Sequence, residues 1–487
     1  MDRKSKSSLF QPWLYSIASI ALTALTSTLA NTPLKAQTSP LQVPSPQDVQ
    51  PFPIPIPSPV TPQPLPPSEE LLEPTVPTPT PPENVPGDLQ TINVERFEVL
   101  GSTVFSPEQL AKVLAPFTNR PISFAELFSA RSAIAQLYFD NGYITSGAYI
   151  PPQTLQGKVV TIAVLEGGLE NIQVNGTKYL NPNYVRRRIA IATKAPLNRD
   201  RLLQALQLLQ LNPLISNVSA ELSAGTRLGQ SILEVQVSEA QSTTVQANID
   251  NGRVPAVGSF RRNLQLNEGN LLGIGDRISV GYSNTDGSNA IDASYSFPLN
   301  PRNGTLNFGY GTTSSRIVES PFDELDIKSE SRYYDITLRQ PIIQTPSQEF
   351  TLGLSASRLE SETSLLGKPY PLSQGADEQG RTRISALRFF QEWTQRDTRQ
   401  VIAARSQFNL GVGAIDATIN EEQPDSRFFS WQGQAQWVRL LAPETLLLVR
   451  GNVQLSTTSL VPLEQFSLGG LQSVRGYRQD LLLTDNG

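Results

Sequence analysis

From Thr243 onward helical periodicity disappears and apolar–polar alternation takes over, in segments of about 9 to 12 residues separated by turn residues. A chain of this kind can place one face of every strand against apolar surroundings and the other against polar ones, and few architectures satisfy it. In Phe429-Ser430-Trp431-Gln432-Gly433-Gln434-Ala435-Gln436-Trp437 one face is aromatic or small and the other carries hydroxyls and amides. Leu447, Val449, Val453 and Leu455 alternate with Leu448, Arg450, Asn452 and Gln454, and Val245, Ala247 and Ile249 with Gln246, Asn248 and Asp250. Eleven segments are counted before Leu463, beginning near Thr243, Phe260, Arg277, Ala290, Thr305, Arg332, Phe350, Ser385, Val401, Arg427 and Thr445. This predicts an up-and-down antiparallel series. A charge on a lipid face at mid-membrane costs about 2 to 4 kcal/mol, so a membrane barrel must keep its apolar residues outward and its polar residues inward. A soluble sandwich would bury the same apolar face in a core.

The N-terminus argues for the barrel. Arg3, Lys4 and Lys6 precede an apolar run from Leu14 to Leu29 and small-residue exits at Ala30 or Ala36, the pattern of a secretory signal peptide over 1–36. A membrane anchor would need roughly 20 apolar residues and a basic stop-transfer cluster. With no cysteine the chain has neither disulfides nor thiolate metal sites, and with no histidine it lacks the commonest general base and metal ligand. No catalytic residue, metal site or cofactor is assigned. A net charge of -5 with mixed signs offers no basic stripe for phosphates, which argues against nucleic acid as a partner.

Between Pro40 and Pro86 lie 18 of the 39 prolines, which predicts an extended polyproline II linker over 37–90, without a core. An ungapped internal repeat follows, at an offset of 75 residues. Glu95-Arg96-Phe97-Glu98-Val99-Leu100-Gly101 aligns with Glu170-Asn171-Ile172-Gln173-Val174-Asn175-Gly176, Ser106-Pro107 with Asn181-Pro182, and Pro121-Ile122-Ser123 with Pro196-Leu197-Asn198. Ser106 and Asn181 read as N-caps with proline at the first helical position, and Ser123 with Glu126 as a capping box. Stripes of Phe124, Leu127, Ile134, Leu137 and Tyr138, and of Leu202, Leu206 and Leu209, predict core-facing helices. Strand-like runs follow at Tyr143–Ile150 and Val159–Val164, then at Ser216–Ser223 and Ser231–Val237, so the order is β-α-α-β-β twice.

Phe466-Ser467-Leu468-Gly469-Gly470-Leu471-Gln472-Ser473-Val474-Arg475-Gly476-Tyr477 lies after the eleventh strand, outside any alternating run. Its Val474-Arg475-Gly476-Tyr477 element resembles the signature of the Omp85 superfamily. Further strings resemble the superfamily's TpsB-type transporters of two-partner secretion, the haemolysin secretion/activation proteins. They are Gly142-Tyr143-Ile144-Thr145-Ser146-Gly147-Ala148-Tyr149-Ile150-Pro151-Pro152-Gln153, Asp250-Asn251-Gly252, Leu271-Leu272-Gly273-Ile274-Gly275-Asp276 and Tyr295-Ser296-Phe297-Pro298-Leu299. The resemblance implies that the repeats are periplasmic POTRA domains, over 91–166 and 167–239, followed by an outer-membrane β-barrel over 240–487 with the signature loop at 463–487. It implies a sixteen-strand barrel, of which about eleven strands are present here and the C-terminus reads as truncated. It also implies that the loop folds into the lumen, where Arg475 meets an acidic residue of the inner wall, expected in the absent part. The proline-rich stretch stands where relatives carry a plug helix, and none is assigned.

The function implied is an outer-membrane pore that recognises an unfolded, β-rich exoprotein in the periplasm and passes it to the cell surface, with outer-membrane lipid as its other partner and no nucleotide. An exposed POTRA sheet edge could take the substrate as an added strand, through residues the sequence does not name. A general outer-membrane assembly factor, a passive porin and an extracytoplasmic enzyme are the alternatives. Gly273-Ile274-Gly275 joins two strands and is read as a hairpin turn, not a phosphate loop. Asn175-Gly176-Thr177 and Asn303-Gly304-Thr305 are read as turns, and Glu421-Glu422 as a solvated loop tip.

Overall fold

The computed structural model describes residues 71–73, 91–154, 158–470 and 473–487. The expected signal peptide and most of the proline-rich segment lie outside the described residues.

The first helix-and-sheet unit opens with β2 (Thr91–Val94) and β3 (Arg96–Leu100), followed by α1 (Pro107–Leu114), β4 (Arg120–Ser123), α2 (Phe124–Asp140), β5 (Gly147–Tyr149) and β6 (Val159–Leu165). The predicted caps set the helix starts. Ser106 caps α1 with proline following, and Ser123 Oγ accepts from Glu126 N at 3.2 Å while Ser123 N donates to Glu126 Oε2 at 2.8 Å. Strand β6 pairs in parallel with β3 and antiparallel with β5, while β2 pairs with β4. Leu110, Leu114, Ala130, Ile134, Tyr138, Ile162 and Val164 form the core between helices and sheet.

Two expectations change here. Phe124 is 46% exposed, and the core beside the start of α2 is formed by Ile122 of β4 with Val94, Leu127 and Val160. The run from Tyr143 is strand only over Gly147–Tyr149, since the chain leaves α2 through a tight turn in which Tyr143 N donates to Tyr138 O at 2.9 Å.

The second unit repeats the order with β7 (Gly168–Asn175), α3 (Pro182–Ala192), α4 (Arg199–Gln210), β8 (Ile215–Ala224) and β9 (Gln230–Glu239). Leu202, Leu206 and Leu209 are buried as their spacing predicts, against Val185, Ile189, Leu233 and Val235. Each such leucine contributes about 1.5 to 3 kcal/mol through removal from water. The sheet order is β1-β8-β9-β7, and its outer member β1 (Leu72–Glu73) comes from the proline-rich segment. Leu71 is 2% exposed within this unit's core, so at residues 71–72 the chain is packed against a core, where the sequence predicted a coreless spacer.

Eleven strands then follow in sequence order, each antiparallel to the one before: β10 (Thr243–Asp250), β11 (Arg261–Gly269), β12 (Arg277–Asn284), β13 (Ser288–Pro298), β14 (Thr305–Arg316), β15 (Lys328–Gln344), β16 (Gln348–Leu365), β18 (Arg381–Arg396), β19 (Gln400–Val412), β20 (Phe429–Ala442) and β21 (Thr445–Ser456). The two-residue β17 (Lys368–Pro369) folds back on β16. Strands β10 and β21 are the edges of this open sheet. The number and order match the sequence reading, but β15, β16 and β18 start earlier or run longer than the alternation indicated. Their outer ends, such as Lys328-Ser329-Glu330-Ser331, are polar on both faces and leave no alternation to read.

The connections differ between the two ends of the sheet. At one end they are 270–276, 299–304, 345–347, 397–399 and 443–444; at the other they include 251–260, 317–327, 366–380 and 413–428. Short turns face the periplasm and long loops the exterior in outer-membrane barrels. The second unit touches the short-turn end: Asn181 N donates to Gly273 O at 2.8 Å, and Arg188 Nε donates to Asn303 Oδ1 at 2.9 Å. Gly275 has φ +84°, and a Cβ there would lie 2.2 Å from the Tyr184 ring, so this turn can seat on α3 only with glycine. Gly273-Ile274-Gly275 is thus a hairpin turn docked on a helix.

Candidate functional site

Opposed residues of antiparallel neighbours point to the same side of a sheet, so the register separates its faces. One face carries Leu266, Val280, Ile336, Leu354, Phe389 and Leu410, large apolar side chains that are exposed in the isolated chain. The other is polar and built from interlocked pairs. Tyr333 Oη donates to Asp292 at 2.9 Å across the gap left by Gly311. Arg339 bridges Glu349 at 2.7 Å and Glu392 at 2.9 Å, and Glu392 also holds Arg405 at 2.7 Å. The Arg405 guanidinium lies 4.1 Å from the centre of the Phe390 ring, which fills the space over Gly353. Gln407, Asn409, Gln432 and Gln454 continue the band toward β21. This is what a water-facing wall requires: its charges are held by counter-charges or by hydroxyl and amide partners, and the apolar face is free for lipid.

The segment after β21 returns along this polar face. Leu460 and Val461 pack on Ile384, Ala386 and Phe428, and Ile384 and Ala386 share their face of β18 with Arg388. Further down, Arg388 holds Glu464 through two hydrogen bonds of 2.6 and 3.0 Å, and also donates to Asn409. Beyond Glu464, β22 (Phe466–Leu468) pairs with β23 (Leu482–Thr484) in a hairpin. Val474, Arg475, Gly476 and Tyr477 lie between its strands and are exposed, and Gly476 has φ +90°. Arg475 forms no ion pair among the described residues. The arginine of this hairpin that does is Arg478, whose Nη2 lies 2.9 Å from Glu319 of the 317–327 loop.

Sequence reasoning did not find Arg388, Arg339, Glu392, Arg405 or Glu464. The usable signal was an arginine or glutamate at polar-face positions of the alternation, at 388, 392 and 405, on strands that otherwise place amides and hydroxyls there.

Away from the wall, Glu166 closes the first unit. Its carboxylate accepts from the amides of Thr103 at 2.7 Å and Val104 at 3.1 Å, from the Thr103 hydroxyl and from Tyr138 Oη at 2.8 Å. Burial acts to raise its pKa, but these donors outweigh it and hold the carboxyl below the usual carboxylate range, while burial pushes the Tyr138 hydroxyl up.

An apolar-outside, polar-inside wall with helix-and-sheet units at its short-turn end defines the class: an outer-membrane β-strand transporter with a POTRA region. Residues 229–487 match the family described as haemolysin secretion/activation protein ShlB/FhaC/HecB, and residues 92–167 match the POTRA domain of ShlB type. The chain belongs to the ShlB/FhaC/HecB family of haemolysin secretion/activation proteins. It is 24% identical over 397 residues to the outer membrane transporter CdiB of Dickeya dadantii (strain 3937), covering 78% of this chain and 67% of that protein. It is 22% identical over 402 residues to the heme/hemopexin transporter protein HuxB of Haemophilus influenzae (strain 86-028NP), with the same coverage of 78% and 67%. The fold is similar to that of CdiB from Escherichia coli, with TM-score 0.63 and 22% identity over 84% of this chain and 76% of that one. It is also similar to CdiB from Acinetobacter baumannii, with TM-score 0.56 and 17% identity over 97% and 82%. The protein is therefore an outer-membrane transporter of two-partner secretion, not an enzyme; its POTRA region is periplasmic, and it works with a secreted exoprotein partner.

Proposed function

We propose that the chain takes up an unfolded, β-rich exoprotein at the sheet edges of residues 91–166 and 167–239, acting as two POTRA domains, and threads it along the polar wall to the cell surface. The observation that carries this reading is the docked base of the returning loop: Leu460, Val461 and Glu464 occupy the polar face of β18, so the loop lines the route rather than standing outside it. Val474, Arg475, Gly476 and Tyr477 then form a gate on that anchored base, with Arg475 as the charge that meets an acidic partner on the wall. A nucleotide site is not part of the scheme; folding of the exoprotein outside draws it forward. Outer-membrane lipid covers the apolar face.

The test is planar-bilayer conductance of the refolded chain with and without Arg475→Ala, together with capture of extended exoprotein fragments. Channels whose flicker changes with the substitution, plus capture, support a loop-gated secretion pore. Steady channels indifferent to the substitution, without capture, overturn it in favour of a passive porin.

A further inference from the structure

The free edge of β8 in the second unit is already occupied. Leu72 and Glu73 pair with it in parallel, in register with Ala220 and Glu221, while β9 holds its other side. Leu71 is 2% exposed in the unit's core and Leu72 packs against the same core, so the arm is fastened by backbone pairing and an apolar anchor. On the opposite, solvent face of the sheet lies a shallow groove lined by Asn175, Ser219, Glu221, Glu234 and Gln236. Glu221 stands opposite Glu234 in the register, both are exposed, and neither forms an ion pair among the described residues. Like charges directly opposed across a strand pair are destabilising. The resident strand fills the core side of the seat through Leu71 and Leu72, while the opposed Glu221 and Glu234 on its outer side have no ion pair among the described residues.

We infer that the β8 edge is a strand-exchange seat, in which residues 71–73 are a resident strand that an extended segment of the exported polypeptide displaces, with apolar residues toward the core and basic residues toward Glu221 and Glu234. This rests on the reading of the chain as an exoprotein transporter. Exchange needs no rearrangement of the unit, because the incoming strand reuses the same backbone groups of β8 and the same apolar site. The resident strand sets a threshold: apparent affinity for an incoming strand falls with the fraction of chains whose edge is vacant.

The chain has no cysteine, so Glu73→Cys with Glu221→Cys introduces the one thiol pair in the protein. In the full-length protein in detergent, a cleavable bis-maleimide should join the pair and lock the arm in place. The probe is a fluorescent synthetic peptide of alternating leucine and lysine, read by anisotropy. Binding should weaken at least about ten-fold on locking and return on cleavage. In the cysteine-free chain, Leu71→Asp should tighten binding several-fold, and Glu221→Gln with Glu234→Gln should weaken it several-fold. A leucine–glutamate peptide should bind at least about ten-fold more weakly than the lysine one. Failure of the cross-link, equal binding to locked and cleaved protein, equal binding of both peptides, or no binding at all overturns the inference. Conductance of the same preparations separates the two levels: a chain that forms channels but ignores the lock loses only the strand-exchange seat, whereas a chain that forms none loses the transporter reading beneath it.

Discussion

Arg388 of β18 grips Glu464 of the returning loop with both terminal guanidinium nitrogens, and their side chains are only 13% and 6% exposed. Such forked, charge-assisted pairs are strong and geometrically specific. Removing one partner of a buried pair costs about 3 to 5 kcal/mol, because the other charge is left uncompensated. Glu464→Ala and Arg388→Ala should each free the loop base and increase conductance noise, and the double variant should be less disturbed than the sum of the singles. Strict additivity in bilayer recordings and in urea unfolding would refute a direct coupling.

The sidedness of the wall can be tested at mid-strand. Ile336 is exposed on the apolar face of β15, and Thr337 beside it is on the polar face. Ile336→Arg should lower refolded stability in lipid by about 2 to 4 kcal/mol, and Thr337→Arg by less than half of that. Denaturant midpoints in vesicles read both, and the reverse ranking would invert the assigned faces.

Gly353 faces the Phe390 ring, and a Cβ there would lie 1.9 Å from it. The ring must shift for any larger residue, and Arg405 stacks on that ring. Gly353→Ala should therefore cost about 1 to 3 kcal/mol in midpoint stability, as overpacking does. Phe390→Leu combined with Gly353→Ala should recover part of the loss.

The first unit should loosen in acid. Glu166 has a lowered pKa in the folded chain, so it stabilises the fold above the carboxylate range of the unfolded chain and loses that contribution as pH falls through its depressed folded value. Hydrogen exchange of residues 103–104 and 138 should accelerate in that acidic window, and Glu166→Gln should abolish the acid dependence while leaving exchange faster at neutral pH. Tyr138, with its raised pKa, contributes oppositely at the alkaline end: its share is present below the ordinary tyrosine range and lost as pH rises beyond it.

The strands, their order and the repeated units were legible because they rest on local rules: alternation, capping residues and leucine spacing act within a few residues. Ser123 and Glu126 announce their capping box three positions apart. What was not legible depends on distance. Arg388 and Glu464 are 76 residues apart, and neither position stands out until the loop is seen to fold back. The arm at Leu71–Glu73 did leave a trace, since residues 68–73 form a six-residue gap between Pro67 and Pro74 where backbone N–H groups remain to pair. Composition of the surrounding segment concealed it. Phe124 is the first residue of α2 and stays exposed, and periodicity alone does not register where along a stripe the core ends.

The sheet from β10 to β21 joins each long strand to its predecessor without a crossover. Closing each hairpin requires ordering only the connection between neighbours in the chain, and the entropy cost of that loop grows slowly with its length. The wall can therefore assemble vectorially, hairpin by hairpin, each new strand templated by the last and leaving one growing edge behind it. A protein that handles unfolded strands for export would thus itself be made by the same elementary event, addition of one extended segment to a waiting edge.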